Sequence, residues 1–243
     1  MIRLIEELSM NAWPSLQTMV YDGWVLRFAD GYTKRANSVN PLYTSAIKVL
    51  EKIKTCEMIY QDKNLPIVFK MTHDGLSREL DSILAEQGYR TDSYTSVQLL
   101  DLMKHSESAH SEITLTSVEN EEWHQAFANM NEVKPEKAAV HRKMLDAIIP
   151  IKCYAAYVFE NRIAACGLGV LQHNHLGLFD IVTDKTYRRR GFSEQLMHGI
   201  LSWAKQHGAQ KAYLQVMLNN APALRLYEKL GFKEAYQYWY RLK

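Results

Sequence analysis

The stretch from Phe179 to Phe232 decides the fold, and it contains the segments FDIVT at 179–183, YRRRGFS at 187–193 and NAPALRLYEKLGF at 220–232. Apolar residues dominate the first segment, which is typical of a buried strand. After the second segment, apolar residues recur every three or four positions up to Gly208, where a helix should end. The stretch therefore predicts a strand, a tight basic loop, a helix, a strand and a second helix.

The basic loop has the features of an anion site. Gly191 lets the backbone turn closely, and the N–H groups at the start of the following helix have no partner within that helix. Such a helix start favours bound anions. Arg188, Arg189 and Arg190 add positive charge, so the loop predicts a site for a multiply charged phosphate group. The alternative is that the three arginines lie on a solvated loop that binds no ligand.

Two familiar phosphate motifs are absent from the sequence. It contains neither the G-x-x-x-x-G-K-[ST] loop nor the complete G-x-G-x-x-G fingerprint. Gly167 and Gly169 supply the first two glycines of that fingerprint, but Gln172 stands where the third should be. Two glycines in a strand more often mark a bulge or a close packing contact.

The loop and the later helix together resemble the GNAT acyltransferase superfamily. The family loop reads Arg or Gln, two residues, Gly, one residue, then Gly or Ala, and Arg188, Gly191 and Ser193 hold these places. Ser193 departs from the pattern but is small and suits a helix start. The second half of the signature matches position for position, at Asn220, Ala223, Tyr227, Gly231 and Phe232.

The resemblance covers residues 112–243 and implies an α+β fold, a mixed and mostly antiparallel sheet with flanking helices. The first part of the chain repeats the order helix, strand, helix, Gly-aromatic, strand. Placing Gly88 on Gly231 sets Leu84 on Tyr227. We therefore predict two tandem GNAT-like domains: residues 1–102 as a degenerate copy without the arginine loop, residues 103–111 as a linker, and residues 112–243 as the catalytic domain that binds acyl-CoA.

The resemblance also implies acetyl-CoA as co-substrate. Its pyrophosphate would lie against the amides of residues 189–193, and its pantetheine arm would run along the preceding strand. The residues assigned to cofactor binding on this basis are Ile181, Val182, Thr183, Arg188, Arg189, Arg190, Gly191, Phe192, Ser193 and Asn220. Asn220 is also expected to cap the helix that follows it.

Tyr227 and Asp180 are the candidate catalytic residues. Tyr227 occupies the position of the family's general acid, which protonates the departing thiolate; a tyrosine packed in the helix face is the alternative. Asp180 interrupts an apolar strand, so its carboxylate must face solvent or a polar cavity. It would accept the proton of the amine through water or hold the ammonium group, and an exposed structural aspartate stays open as the alternative.

The side of the site that binds the acceptor is less clearly marked. Arg27, Arg35 and Asn37 of the first copy are candidates to face the acceptor across the cleft. The aromatic residues of the last strand either line an acceptor pocket or belong to the core; they are Tyr236, Tyr238, Trp239 and Tyr240. Asp30-Gly31 between two extended runs predicts a β-hairpin.

Composition excludes several classes of protein. A net charge of +2 with 23% charged residues argues against a nucleic-acid binder. No apolar run approaches a membrane span, and acidic residues at positions 6 and 7 interrupt any signal peptide. The three cysteines lack paired or metal-ligand spacing, and His173 and His175 lack a third ligand, so we expect a cytoplasmic protein without a metal. A monomer or a homodimer is expected.

The sequence as a whole predicts an enzyme, an N-acetyltransferase that moves an acetyl group from acetyl-CoA to the amine of a small molecule. The alternative is a sensor or regulatory module that binds CoA without turnover. Tyr227 favours the enzyme, because a pure binding protein needs no acid beside the thiol.

Overall fold

The computed structural model describes residues 1–73, 75–104, 113–118 and 120–243. Within these residues there are seven α-helices: α1 Ile2–Ala12, α2 Val49–Asp62, α3 Gly75–Glu86, α4 Glu121–Met130, α5 Pro135–Asp146, α6 Phe192–Gln206 and α7 Ala221–Lys229. The same residues form eleven strands: β1 Gln17–Tyr21, β2 Trp24–Phe28, β3 Val39–Pro41, β4 Val68–Thr72, β5 Arg90–Asp101, β6 Ile113–Thr116, β7 Ile151–Phe159, β8 Arg162–Gln172, β9 His175–Thr183, β10 Lys211–Met217 and β11 Lys233–Leu242.

All of these strands form one mixed sheet in the order β1-β2-β3-β4-β11-β5-β10-β9-β8-β7-β6. The pairs β3–β4 and β9–β10 are parallel, and the other neighbouring strands are antiparallel. The predicted α+β class, with a mixed and mostly antiparallel sheet and flanking helices, is confirmed.

The two halves of the chain exchange their last strands. Strand β11, the end of the chain, lies between β4 and β5, whereas β5 pairs on its other side with β10. Each half therefore completes the sheet of the other, and the sheet is continuous across them. The division of the chain at residues 103–111 stays a prediction, and residues 105–111 of the expected linker lie outside the described residues.

The predicted repeat is visible in the hydrogen bonds that end α3 and α7. Tyr89 N donates to Leu84 O at 3.0 Å, and Phe232 N donates to Tyr227 O at 2.9 Å. In each case a glycine with positive φ, Gly88 or Gly231, precedes the aromatic residue. Leu84 and Tyr227 thus hold equivalent places, as the alignment of the two glycines predicts.

The hairpin predicted around Asp30-Gly31 forms between β2 and β3, which pair antiparallel, but residues 29–38 connect the strands in place of a tight turn. A tight turn lies at Asp22-Gly23 between β1 and β2, where both residues have positive φ. Residues 30 and 31 also have positive φ, but the side chain of Asn37 holds their loop by accepting from Ala29 N and Gly31 N. A short 3-10 turn at 34–36 follows where a strand was expected.

Close packing explains the two glycines of β8. A Cβ on Gly167 would lie 2.5 Å from Ile181 Cδ1, and one on Gly169 would lie 2.8 Å from Ile200 Cγ2. The side chain of Ile181 on β9 thus occupies the space beside Gly167, and the side chain of Ile200 on α6 packs closely on Gly169.

The aromatic side chains of β11 belong to the core. Tyr236, Tyr238 and Tyr240 are buried in one hydrophobic cluster, and Trp239 is buried in another. The Tyr236 hydroxyl donates to the buried carboxylate of Glu6 at 2.7 Å. Of the two alternatives for this strand, the core interpretation fits the structure.

Candidate functional site

A gap opens between β9 and β10, although these two strands begin as parallel neighbours. Their pairing ends at Leu178 and Leu214. Beyond that point β9 stays with β8, whereas β10 follows β5 as far as Met217. Among the described strands, none pairs with the edge of β9 that faces the gap from Phe179 onward, so its main-chain polar groups are available to a ligand.

A β-bulge lies at the start of this gap. Phe179 pairs with Leu168 and Val182 pairs with Cys166, so Asp180 and Ile181 together oppose the single residue Gly167. Asp180 has φ +54°, in the left-handed region. Bulges of this kind redirect a side chain next to an active site. Here the bulge directs Asp180 into a cavity.

The arginine loop ends in the helix start that the sequence predicts. Helix α6 begins at Phe192, and its N-cap residue Gly191 has φ +82°. Arg189 also has positive φ, at +65°. Two left-handed residues so close together turn successive backbone N–H groups toward one side, which is a geometry that binds anions.

A cavity of about 690 Å³ lies beside this loop and is called the large cavity here. It contains nine of the ten residues assigned to cofactor binding, and the members of its lining that the argument uses are Ile181, Val182, Thr183, Arg188, Arg189, Gly191, Phe192, Ser193, Asn220 and Tyr227. Arg190 is the tenth. Its guanidinium carbon lies 4.3 Å from the ring centroid of Phe159 and 5.0 Å from that of Phe192, outside the lining of the cavity.

A second cavity of about 260 Å³ lies at the gap and is called the small cavity. Its polar lining residues are Arg35, Asn131, Asp180, Gln215, Asn220 and Tyr227. Both cavities share Asn131, Ile181, Asn220 and Tyr227, so they meet at these residues. Tyr227 therefore stands between a cavity suited to phosphates and a cavity that contains a carboxylate.

Burial affects the protonation of the Tyr227 side chain. The residue is 8% exposed, and burial raises the pKa of its phenol to about 12. Among the described residues its hydroxyl has no hydrogen-bond partner, so the O–H is free to donate to a ligand. If Tyr227 only packed its ring in the helix face, its free hydroxyl between the two cavities would have no role.

Asp180 is held by a histidine that the sequence analysis missed. His141 Nε2 lies 2.8 Å from Asp180 Oδ2, and since a carboxylate only accepts, the imidazole donates. His141 is fully buried and stacks on Phe127 with ring centroids 4.5 Å apart. The Asp180 side chain is 8% exposed, which excludes the alternative of an exposed structural aspartate.

Tyr32 lies close to Asp180 and His141. Burial raises the pKa of the Tyr32 phenol, and the negative charge of Asp180 raises it further. The ring of Tyr32 stacks on His141 with a centroid distance of 5.4 Å.

Two polar residues link the loop to its neighbours. The Asn220 side chain accepts from Ala223 N at 3.3 Å and so caps α7, as predicted. Ser193 and Thr183 share a hydrogen bond between their hydroxyl groups, which ties the start of α6 to the end of β9. Both contacts fix the walls of the large cavity.

The sequence predicts neither a metal site nor a membrane span. In the described part of the chain, no group of three or more His, Cys, Asp or Glu side chains could hold a metal ion. Cys166 is completely buried, and burial raises the pKa of its thiol, as for an inert structural cysteine. Among the described helices, none is both long and apolar enough to cross a membrane.

His141 and Asn131 are the site residues that sequence reasoning did not find. His141 stands 39 residues from Asp180 on a different element, and no motif spacing connects the two. Asn131 follows the last residue of α4 and carries no local signal. Only the packing of α4 and α5 over β9 brings these side chains to the gap.

Comparisons with known proteins show which family the sequence resembles. The sequence model of the family described as "Probable histone acetyltransferase Rv0428c C-terminal" matches residues 1–241. The chain is 28% identical over 247 residues to the uncharacterized N-acetyltransferase YobR of Bacillus subtilis (strain 168), an alignment that covers 100% of this chain and 98% of that protein.

Solved structures resemble the fold over its full length. A GCN5-related N-acetyltransferase from Kribbella flavida matches with a TM-score of 0.73 at 13% identity, over 99% of this chain and 95% of the other. A tandem GNAT protein from the clavulanic acid biosynthesis pathway matches with a TM-score of 0.66 at 11% identity, over 99% of this chain and 87% of the other. At these identities the likeness shows the fold.

Proposed function

Because the chain belongs to the family of the probable histone acetyltransferase Rv0428c C-terminal region and is a GNAT-type N-acetyltransferase, we propose that it transfers an acetyl group from acetyl-CoA to the amine of a small molecule. The observation that carries the proposal is the position of Tyr227, which lines both the large cavity and the small cavity. A proton donor at this junction can reach the sulfur of a thioester that extends from one cavity to the other.

The lining of the large cavity supports CoA as its ligand. Free amide groups at the start of α6 and the guanidinium groups of Arg188 and Arg189 suit the diphosphate. The unpaired edge of β9 from Phe179 to Thr183 suits an extended, amide-containing arm such as pantetheine. Gly191 adopts φ +82°, which a residue with a Cβ rarely adopts, so the loop conformation depends on that glycine.

The chemistry that acetyl-CoA supplies is a thioester carbonyl: the amine attacks it, a C–N bond forms and the C–S bond breaks. Three proton transfers by the protein complete the balance. Asp180 binds the incoming ammonium group and accepts one of its protons, either directly or through water. Tyr227 donates its phenolic proton to the departing sulfur, and its raised pKa keeps the phenol protonated before that step. The second proton that the nitrogen loses as the amide forms returns to the Tyr227 oxygen, so one proton is released overall.

The size of the small cavity supports a small acceptor. A volume of about 260 Å³ fits a compact amine, and the buried Asp180 offers it a single anion at the inner wall. The family is named for a probable histone acetyltransferase, and such an enzyme would bring a peptide segment to the same gap. A lysine side chain entering the cavity alone would use Asp180 in the same way.

Thiol release from acetyl-CoA, measured across a panel of small amines and lysine-containing peptides, tests the proposal. We expect turnover with at least one small amine and a loss of about hundredfold in kcat for Tyr227→Phe. CoA that remains bound to the purified protein, with no turnover on any acceptor, would contradict the proposal and support the sensor alternative.

A further inference from the structure

Arg35 is the residue of the first half of the chain that lines the small cavity. The sequence leaves Arg27, Arg35 and Asn37 open as residues that face the acceptor, and the structure separates them. Arg27 is 4% exposed and donates to the backbone carbonyls of Met10, Trp13 and Arg35. Asn37 holds the loop around Gly31. Of the three, only Arg35 lies on the cavity wall.

The guanidinium of Arg35 is positioned by stacking and not by an ion pair. Its central carbon lies 5.2 Å from the ring centroid of Trp13 and 5.8 Å from that of Phe179. Its backbone carbonyl accepts from Arg27 Nη1 at 2.6 Å, which fixes the turn that carries it. Stacking on aromatic faces orients the planar group while its N–H edges stay available.

The hydrogen bonds of Arg35 are far from saturated. Its one side-chain bond within the described residues is a long one, from Nη1 to Gln215 Oε1 at 3.4 Å. Gln215 is itself held by donating to Ser9 Oγ at 2.6 Å and accepting from Tyr238 at 3.1 Å. A guanidinium has five donors, so a fork suited to a carboxylate remains open.

Three other cations have carboxylate partners: Lys70 pairs with Glu6, Lys34 pairs with Asp92, and Arg241 pairs with Asp81. Arg27 has no such partner, but backbone carbonyls accept its hydrogen bonds. Arg35 has neither a carboxylate within 4.0 Å nor a comparable set of acceptors in the described part of the chain. Its guanidinium therefore offers a ligand in the cavity a charge that the protein leaves unpaired.

The lining of the same cavity also carries the opposite charge, on Asp180. Asp180 uses Oδ2 to accept from His141, which leaves Oδ1 for an ammonium group. We infer that the acceptor is an amino acid, whose carboxylate binds Arg35 while its ammonium group binds Asp180. This inference rests on the proposed function, since it names the substrate class of the same site.

The test compares amino acids with their carboxamides as acceptors, in the wild-type protein and in three variants. Short α- and ω-amino acids form the panel, and each is paired with its amide, which keeps the amine and loses the negative charge. Arg35→Met removes the charge, Arg35→Lys keeps the charge without the fork, and Lys34→Met is the control on the same turn. Taking the ratio of kcat/KM for acid over amide cancels differences in amine reactivity.

We expect wild-type protein and Lys34→Met to prefer the amino acid, and Arg35→Met to lose about tenfold or more of that preference, with Arg35→Lys in between. Turnover with no preference for the acid, or a preference that survives in Arg35→Met, would overturn the inference and leave the proposed function standing.

A binding measurement distinguishes a failure of the proposed function from a failure of the inference about amino acids. If no amine is turned over, the proposed function fails, and calorimetric titration of the same amino acids in the presence of CoA then decides the inference. Binding that is lost in Arg35→Met and retained in Lys34→Met would support the carboxylate site. Equal binding by both variants, or no binding by wild-type protein, would overturn it.

Discussion

His141 Nε2 donates to Asp180 Oδ2 at 2.8 Å, and this contact joins helix α5 to the bulge of strand β9. One ring face of His141 stacks on Phe127, and Tyr32 stacks on the ring as well. Because the imidazole is completely enclosed, the carboxylate has one defined orientation toward the small cavity. We infer that His141 is a positioning residue for Asp180.

Replacing His141 with leucine should therefore impair the use of the amine and spare the binding of CoA. A hydrogen bond to a charged group contributes about 1.5–3 kcal/mol, so we expect kcat/KM for the amine to fall roughly ten- to hundredfold. His141→Gln keeps a donor and should recover part of the loss. A purely structural role would instead lower the melting temperature of both variants and leave the KM for the amine unchanged.

Tyr227→Phe should lower kcat without weakening CoA binding. In wild-type protein the raised pKa of about 12 keeps the phenol protonated, so the acid should still function at pH 10, where an ordinary tyrosine is half ionised. The pH profile of kcat checks this point. Tyr43→Phe is the control, because Tyr43 is 38% exposed and lines neither cavity. Equal kcat in wild type and Tyr227→Phe at all pH values would contradict the assignment.

Alkaline pH should destabilise the fold through its buried tyrosines. Burial raises the pKa of Tyr236, and the charge of Glu6, to which its hydroxyl donates, raises it further. The folded state therefore retains a proton that the unfolded chain loses above about pH 10. Stability from this group is complete below that pH and falls as pH rises, by up to about 1.4 kcal/mol per pH unit.

Urea unfolding at pH 8, 10 and 11 measures this effect. Tyr236→Phe should be less stable at pH 8, because Glu6 loses a donor, and its stability should decline less steeply above pH 10. Parallel slopes for the variant and the wild type would show that Tyr236 does not carry the proton linkage.

The two ends of α6 offer a matched pair of glycine substitutions. Gly191 and Gly208 have φ of +82° and +87°. A Cβ added to either residue would meet no heavy atom closer than 3.9 Å. Alanine at either position should cost about 1–2 kcal/mol of folding free energy through backbone strain alone. Only Gly191→Ala should also weaken CoA binding, because Gly191 lines the large cavity. Equal CoA affinity in both variants would contradict the role of the loop.

Local signals in the sequence predicted the second half of the chain well. The helix start after the arginine loop and the Asn220 cap each depend on neighbouring residues, and each forms where its residues predict. The repeat was also predicted from the order of neighbouring elements. In the structure, the backbone carbonyls of Leu84 and Tyr227 accept equivalent hydrogen bonds.

The pairing of strands that are distant in sequence could not be predicted in the same way. The aromatic pattern of β11 suits any central strand, so it does not indicate that β11 inserts between β4 and β5. The Asp30-Gly31 pattern predicted the antiparallel pairing of β2 and β3 but not the long loop between them, which the side chain of Asn37 holds. The contact of His141 with Asp180 depends on helix packing that no local motif encodes.

The central claim is that CoA lies with its diphosphate against the loop of residues 188–193, and calorimetric titration of CoA tests it most directly. The matched variants are Arg188→Ala, whose side chain lines the large cavity, and Arg190→Ala, whose side chain stacks on Phe159. We predict that Arg188→Ala raises the Kd roughly tenfold or more, and that Arg190→Ala changes it by less. An unchanged Kd for Arg188→Ala, with the variant folded, would contradict the account.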